Sequence, residues 1–293
     1  MKIKFWGVRG SIPSPGPNTQ RYGGNTTCIE VRTDDNELII LDGGTGIFPL
    51  AQQLLKEMPI TAYILNTHSH WDHIQGLPFF IPIFIPGNTI YLYGAFDPIS
   101  GAGPERIMNV QMQYSYFPVR EAEIQSNMHY LTVMPNEALK IGSASVTPTL
   151  LSHPVVDLGY RIESKGKSLF FTGDHEPHYN IYEPQDDGYA EYQLLIDEQA
   201  RAIVEAIKGV DVLIADSSYT IGEYPAKKGW GHGTFDSCIE LAHAAGAKIL
   251  YCTHHEPTRS DNDLEKVFAE ALARHADKKM DIRLAREGDE ISI

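Results

Sequence analysis

Residues 67–73 read Thr-His-Ser-His-Trp-Asp-His, which puts four metal-capable side chains, His68, His70, Asp72 and His73, within six residues. Imidazole nitrogen and carboxylate oxygen both suit zinc and its first-row neighbours. In an extended loop positions 68 and 70 point to the same side, so two imidazoles can converge on one ion. The turn that follows re-aims Asp72 and His73 towards a second ion nearby. A helical zinc motif needs its histidines four apart, and this spacing excludes it.

The pattern resembles the metallo-β-lactamase superfamily of binuclear hydrolases, and the resemblance covers nearly the whole chain. It implies a role for residues far downstream. His153, after Thr-Leu-Leu-Ser, becomes the third ligand of the first ion, and Asp174, in Phe-Phe-Thr-Gly-Asp-His, bridges the two. His254, ending Ile-Leu-Tyr-Cys-Thr-His-His, joins Asp72 and His73 on the second ion, while the adjacent His255 and His175 stand outside the ligand set. Asp42, in Leu-Asp-Gly-Gly-Thr-Gly, is expected to buttress the metal loop, because a metal-bound imidazole needs an acceptor for its other N–H. The same glycine turn reads either as a phosphate cradle or as a simple tight turn.

Gly-Trp-Gly-His-Gly-Thr-Phe at 229–235 looks like the His-Ser-Thr motif of the tRNase Z branch, with Gly233 where Ser is usual. There the histidine protonates the leaving oxygen, which makes His232 the general acid here. Asp216, where Glu is more usual, would orient it. The segments Gly-Val-Arg-Gly-Ser, Arg-Tyr-Gly-Gly-Asn and Thr-His-His-Glu-Pro look instead like a bacterial, cyclic-phosphodiesterase-like group. The implied activity is hydrolysis of a small or cyclic phosphodiester by a hydroxide held between two divalent ions. His232, Asp72 and Asp216 are the expected catalytic groups. Zinc is the expected metal, and manganese or iron would accept the same ligands.

Three other readings compete: a tRNA 3′-processing endonuclease, a lactone or thioester hydrolase, and a metal-bearing binding protein without turnover. A diiron redox relative would carry Glu where this chain has His70.

Such ligands must be delivered by strand ends. Hydrophobic periodicity predicts strands at 2–8, 26–33, 37–41, 62–65, 145–151, 157–163, 167–172, 210–215 and 247–252. Helices are expected at 46–57, 74–80, 189–208, 234–245 and 261–276, with two short strands after the last. Two halves, each a sheet followed by helices, imply an α/β fold with two sheets face to face and helices outside. This four-layer αββα sandwich is also what the resemblance implies. The Gly/Pro-rich stretch at 11–25 is too long for a simple turn and is expected to border the site. Residues 82–130, rich in Pro, Gly, Tyr and Met, read as an insertion in a single 1–293 domain. It would serve as a lid presenting Tyr114, Tyr116 and Phe117, or as a contact between two copies.

With 293 residues and 42% hydrophobic content the chain can bury a large core. No run approaches the ~20 apolar residues of a membrane helix. The start, Met-Lys-Ile-Lys-Phe-Trp, reads as a strand and not as a leader, so the cytoplasm is the expected compartment. Three scattered cysteines (Cys28, Cys238, Cys252) read as core residues. A net charge of −14 argues against a large nucleic-acid footprint and for a compact anionic substrate drawn by the cations.

Overall fold

A computed structural model describes all 293 residues. The first half opens with β1 (Lys2–Gly7), β2 (Cys28–Arg32), β3 (Leu38–Leu41), α1 (Ile47–Leu54), β4 (Thr61–Leu65) and the single-turn α2 (Trp71–Ile74). It continues with β5 (Thr89–Gly94), α3 (Glu105–Gln111) and β6 (Asn127–Thr132). The second half runs through β7 (Leu139–Ile141), β8 (Ala144–Leu150), β9 (Leu158–Ser164), β10 (Lys167–Phe171), α4 (Tyr189–Ile207) and β11 (Val212–Asp216). α5 (Phe235–Ala245), β12 (Ile249–Thr253), α6 (Asp261–Arg274), β13 (Asp281–Leu284) and β14 (Glu290–Ser292) complete it.

Two seven-stranded sheets form, in the orders β14-β1-β2-β3-β4-β5-β6 and β13-β12-β11-β10-β9-β8-β7. Alternation in β1 turns Ile3 and Phe5 inward, where they meet Val146, Tyr160 and Phe171 of the other sheet in the central core. The outer face of the first sheet packs Ile40, Ile64 and Leu92 against α1 and α3. The outer face of the second packs Leu213 and Leu250 against α4, α5 and α6. The order is therefore helix, sheet, sheet, helix, the four-layer αββα sandwich expected from the sequence.

Parallel pairing of β3, β4 and β5, and of β10, β11 and β12, sends the carboxyl ends of both sets towards the same rim. Ligands at strand ends can meet only there. No helix is long and apolar enough to cross a membrane, and all three cysteines are buried and unpaired.

Two segments differ from expectation. The helix expected at 74–80 is instead α2 followed by 3₁₀ turns at Leu77–Phe79 and Ile81–Phe84, because Pro78 and Pro82 cannot donate to a continuing ladder. Residues 82–130 are not irregular throughout: β5 and β6 extend the first sheet, with Ile90 and Leu92 buried. Tyr114 and Tyr116 are 79% and 76% exposed, while Phe117 packs edge-on against Phe79.

Candidate metal centre

β4 is buried along most of its length and ends at Leu65; the chain then runs extended through Asn66–His70 before α2 begins. That start places Asp72 and His73 on a helical turn, away from the direction of His68 and His70. Beneath the loop, Gly44 approaches so closely that a Cβ would lie 2.3 Å from the Asp72 carbonyl oxygen. The glycine turn is thus a packing device. The Gly43 amide donates to the His73 carbonyl, and those of Gly44 and Gly46 donate to Thr27 and Thr26, so none remains for phosphate.

The structure brings the seven expected ligands into two adjoining groups, His68–His70–His153–Asp174 and Asp72–His73–Asp174–His254. Asp174 belongs to both. Its Oδ2 lies 3.6 Å from His68 Nε2 and 4.0 Å from His153 Nε2, while its Oδ1 lies 3.2 Å from His73 Nε2 and 3.1 Å from His254 Nε2. In the second group Asp72 Oδ2 is 3.4 Å from His73 Nε2 and 3.0 Å from His254 Nε2, and the two imidazole nitrogens are 3.4 Å apart. Tetrahedral zinc with nitrogens at ~2.0–2.1 Å spaces its ligand atoms by about 3.3 Å.

The donor chemistry fits cations equally well. His70 Nδ1 faces His153 Nε2 at 3.0 Å, and His68 Nε2 and Asp174 Oδ1 are buried without a hydrogen-bond partner. Buried polar atoms without partners are costly, and a shared cation satisfies them together. The outward ring nitrogens are meanwhile occupied. His73 Nδ1 lies 2.7 Å from Asp42 Oδ2; His68 Nδ1 hydrogen-bonds with Thr67 Oγ1 at 3.0 Å, and Asp157 Oδ1 stands 2.8 Å away as its charged neighbour. His153 Nδ1 lies 2.9 Å from the Gly231 carbonyl, and His254 Nδ1 lies 2.9 Å from Ser218 Oγ. Each contact leaves the other nitrogen of its ring facing the centre. The residues can hold divalent ions.

Electrostatics follow from burial and proximity. Burial holds the His68 imidazolium well below its ordinary range, with His73 adding to the effect. His73 is itself pushed well up, because Asp174, Asp72 and Asp42 outweigh its burial. Burial raises the Asp157 carboxyl well above the usual range, and neighbouring Asp174 and Asp42 reinforce that. His254 sits at φ +58°, a left-handed conformation uncommon for a non-glycine residue.

His232 stands beside the two groups. Its Nδ1 lies 2.9 Å from Asp216 Oδ2 and 3.7 Å from Asp174 Oδ2, and its ring stacks on His254 with centroids 4.8 Å apart. Burial disfavours its charge, but Asp216 and Asp174 prevail and raise its pKa to about 9.

His255 and His175 take no part in either group. His255 is fully buried, its Nε2 lies 2.8 Å from the Ala285 carbonyl, and burial lowers it to about 3. His175 is buried behind the site, where its backbone amide donates to Asp216 at 3.2 Å. The 11–25 loop does reach the centre, since the Ser11 amide donates to Asp72 Oδ2 at 2.7 Å.

Two contributors carried no usable sequence signal. Asp157 lies in the irregular stretch immediately before β9. Glu176 is buried, and it accepts hydrogen bonds from Tyr224 Oη (2.7 Å), Gly229 N (2.8 Å) and Gly231 N (2.9 Å), so it pins the loop that carries His232. Only its nearness to the Gly-Asp-His segment could have hinted at this. Tyr114 and Tyr116 are absent from the lining of the cavity beside His68.

Residues 38–255 match the model of the beta-lactamase superfamily domain. Ribonuclease Z of Thermoplasma volcanium is 26% identical over 311 residues, spanning 93% of this chain and 94% of its own. Among solved structures, the metallo-beta-lactamase fold protein YhfI of Bacillus subtilis aligns with a TM-score of 0.68 at 18% identity over 99% of both chains. A diphosphatase of the PhnP family aligns at 0.63 and 20% identity, over 100% of this chain and 97% of its own. These structural likenesses carry the fold.

Proposed function

Because the chain belongs to the beta-lactamase superfamily, and is in that setting a metal-dependent hydrolase, we propose that it cleaves small or cyclic phosphodiesters. The observation that carries the reading is His232, held by Asp216 at 2.9 Å beside the two ligand groups. A departing alkoxide needs a proton, and an imidazole next to the reacting bond supplies one. Carbonyl hydrolysis of a lactone or thioester has no such need of this residue.

Two divalent ions, zinc by ligand type with manganese or iron acceptable, would supply an acidified water and positive charge for the phosphoryl oxygens. His68, His70 and His153 would hold one and Asp72, His73 and His254 the other, with Asp174 between them. The chain's own residues do the rest. Asp216 fixes His232 with its Nδ1 proton inward, so that Nε2 faces the leaving oxygen. Asp42, Asp157, Ser218 and the Gly231 carbonyl fix the rings of the ligands. The Ser11 amide holds the Asp72 carboxylate in place.

A tRNA 3′-processing activity is the second reading, favoured by the full-length similarity to a ribonuclease Z; the net charge of −14 weighs against it. The test is metal analysis of protein purified without chelator, then a screen of cyclic nucleotides and simple diesters beside precursor tRNA and a lactone panel. Metal-dependent turnover of diesters, lost in His232→Ala, is expected. Cleavage of lactones with no diester turned over would overturn the reading.

A further inference from the structure

A cavity of about 330 Å³ opens directly beside His68 and Ser69. Its walls come from the two halves of the fold: Ile107 and Val110 of α3 on one side, Val155 and Val156 on the other. Trp71, one residue from His70, borders it and is 61% exposed. A large aromatic left open to water at the mouth of an apolar cavity is a surface suited to stacking a ligand.

Two charged residues also line the cavity, Asp97 and Arg106. Asp97 is occupied: its Oδ1 accepts from the Ile99 amide at 2.9 Å and its Oδ2 from the Ser100 amide at 3.2 Å. Arg106 is exposed on α3, and its side chain makes neither a hydrogen bond nor an ion pair. A planar guanidinium is the side chain best matched to phosphate. In a chain with net charge −14, a cation in the cavity next to His68 that acts on the Asp97 carboxylate without bonding it is a directed feature of the field around the site.

We propose that this cavity selects the substrate: it seats the organic body of the diester against Trp71, Ile107 and Val156, while Arg106 pairs with a second phosphate on that body. The proposal rests on the phosphodiesterase reading and narrows it to bis-phosphorylated small molecules. The cavity lies at the small end of the ~300–1,000 Å³ range of ligand pockets, which suits a body of nucleoside size.

The test compares three probes on metal-loaded protein: bis-p-nitrophenyl phosphate, the p-nitrophenyl ester of a thymidine monophosphate, and that ester carrying a second phosphate on the sugar. Arg106→Gln is expected to raise KM for the doubly phosphorylated ester about 10- to 100-fold. It should leave kcat and the other two probes within about twofold, and Arg106→Lys should recover part of the loss. Val110→Phe, which narrows the cavity away from the ligands, should raise KM for both thymidine esters and spare the bare diester. Equal effects of Arg106→Gln on all three probes would overturn the pairing and leave the phosphodiesterase reading standing. Failure of the unaltered protein to cleave any of the three overturns both.

Discussion

His232 and Asp216 face each other across 2.9 Å, Nδ1 to Oδ2, although they come from different elements, β11 and the loop before α5. The same Asp216 oxygen receives the His175 amide, and its partner oxygen accepts from Ser218 Oγ at 2.7 Å. A carboxylate so fixed gives the imidazole one orientation and one tautomer. His232→Ala should therefore lower kcat on an unactivated diester by ~10²–10⁴-fold while bound metal stays the same. Kinetics paired with metal analysis check both halves.

Asp216→Asn tests the charge of the pair. His232 acts in its protonated form, so the rate must fall as pH rises through its pKa. The Asp216 and Asp174 carboxylates lift that pKa against burial. Removing the first lowers it, and the descending limb of the pH–rate profile should move to lower pH. An unmoved limb would show that Asp216 does not set the proton affinity of the acid.

Asp157 stands 2.8 Å from His68 Nδ1 and touches no other ligand ring. Asp157→Asn is expected to weaken the His68–His70–His153 site by ~10–100-fold, the usual cost of losing a ligand's outer partner. The Asp72–His73–His254 site should hold its ion nearly as before. Competition with a chromophoric chelator would resolve the two affinities.

Glu176 acts through the loop it holds. Glu176→Ala leaves two backbone amides and a tyrosine hydroxyl without their acceptor, a loss of about 1–3 kcal/mol in unfolding free energy. It should also reduce kcat, because Gly231 and His232 lose their anchor. Urea midpoints and turnover measured on the same sample decide this, and unchanged turnover would separate the loop from catalysis.

A Cβ at position 10 would lie 2.3 Å from Nδ1 and Cε1 of His254. Gly10→Ala should displace that imidazole and cut occupancy of its site with the fold intact. Calorimetry with added Zn²⁺ gives a second readout: at a hundred times Kd an ion stabilises the native protein by ~2.7 kcal/mol. The variant should forfeit most of the part that comes from the His254 site.

Much of this was legible in the sequence, for identifiable reasons. Alternation in β1 and the apolar runs Leu38–Leu41, Leu169–Phe171 and Val212–Ala215 announce strands. Polar residues just past such runs, Asp174 and His254 among them, fall at the rim where loops converge. Asp157 and Glu176 were not legible, because their partners lie 89 and 48–55 positions away in sequence and no local pattern marks them. β5 and β6 hid within a Pro- and Tyr-rich region, although Thr-Ile-Tyr-Leu-Tyr-Gly does alternate. The glycine turn left two readings open, because whether its amides were free depended on carbonyls from the approach to β2 and from α2, which only the folded chain supplies.

His68, His70, Asp72 and His73 hang from the first sheet, and His153, Asp174 and His254 from the second. An ion seated among them is therefore a clasp between two layers that otherwise meet through apolar contact and a few hydrogen bonds, such as Leu158 N to the Thr67 carbonyl and Tyr160 Oη to that of Asn66. A backbone cut in the connection between Val133 and Leu139 would leave each fragment with only part of either cage. Reassembly of the fragments would then answer to the metal supply, and returning turnover would report that the layers had closed in register.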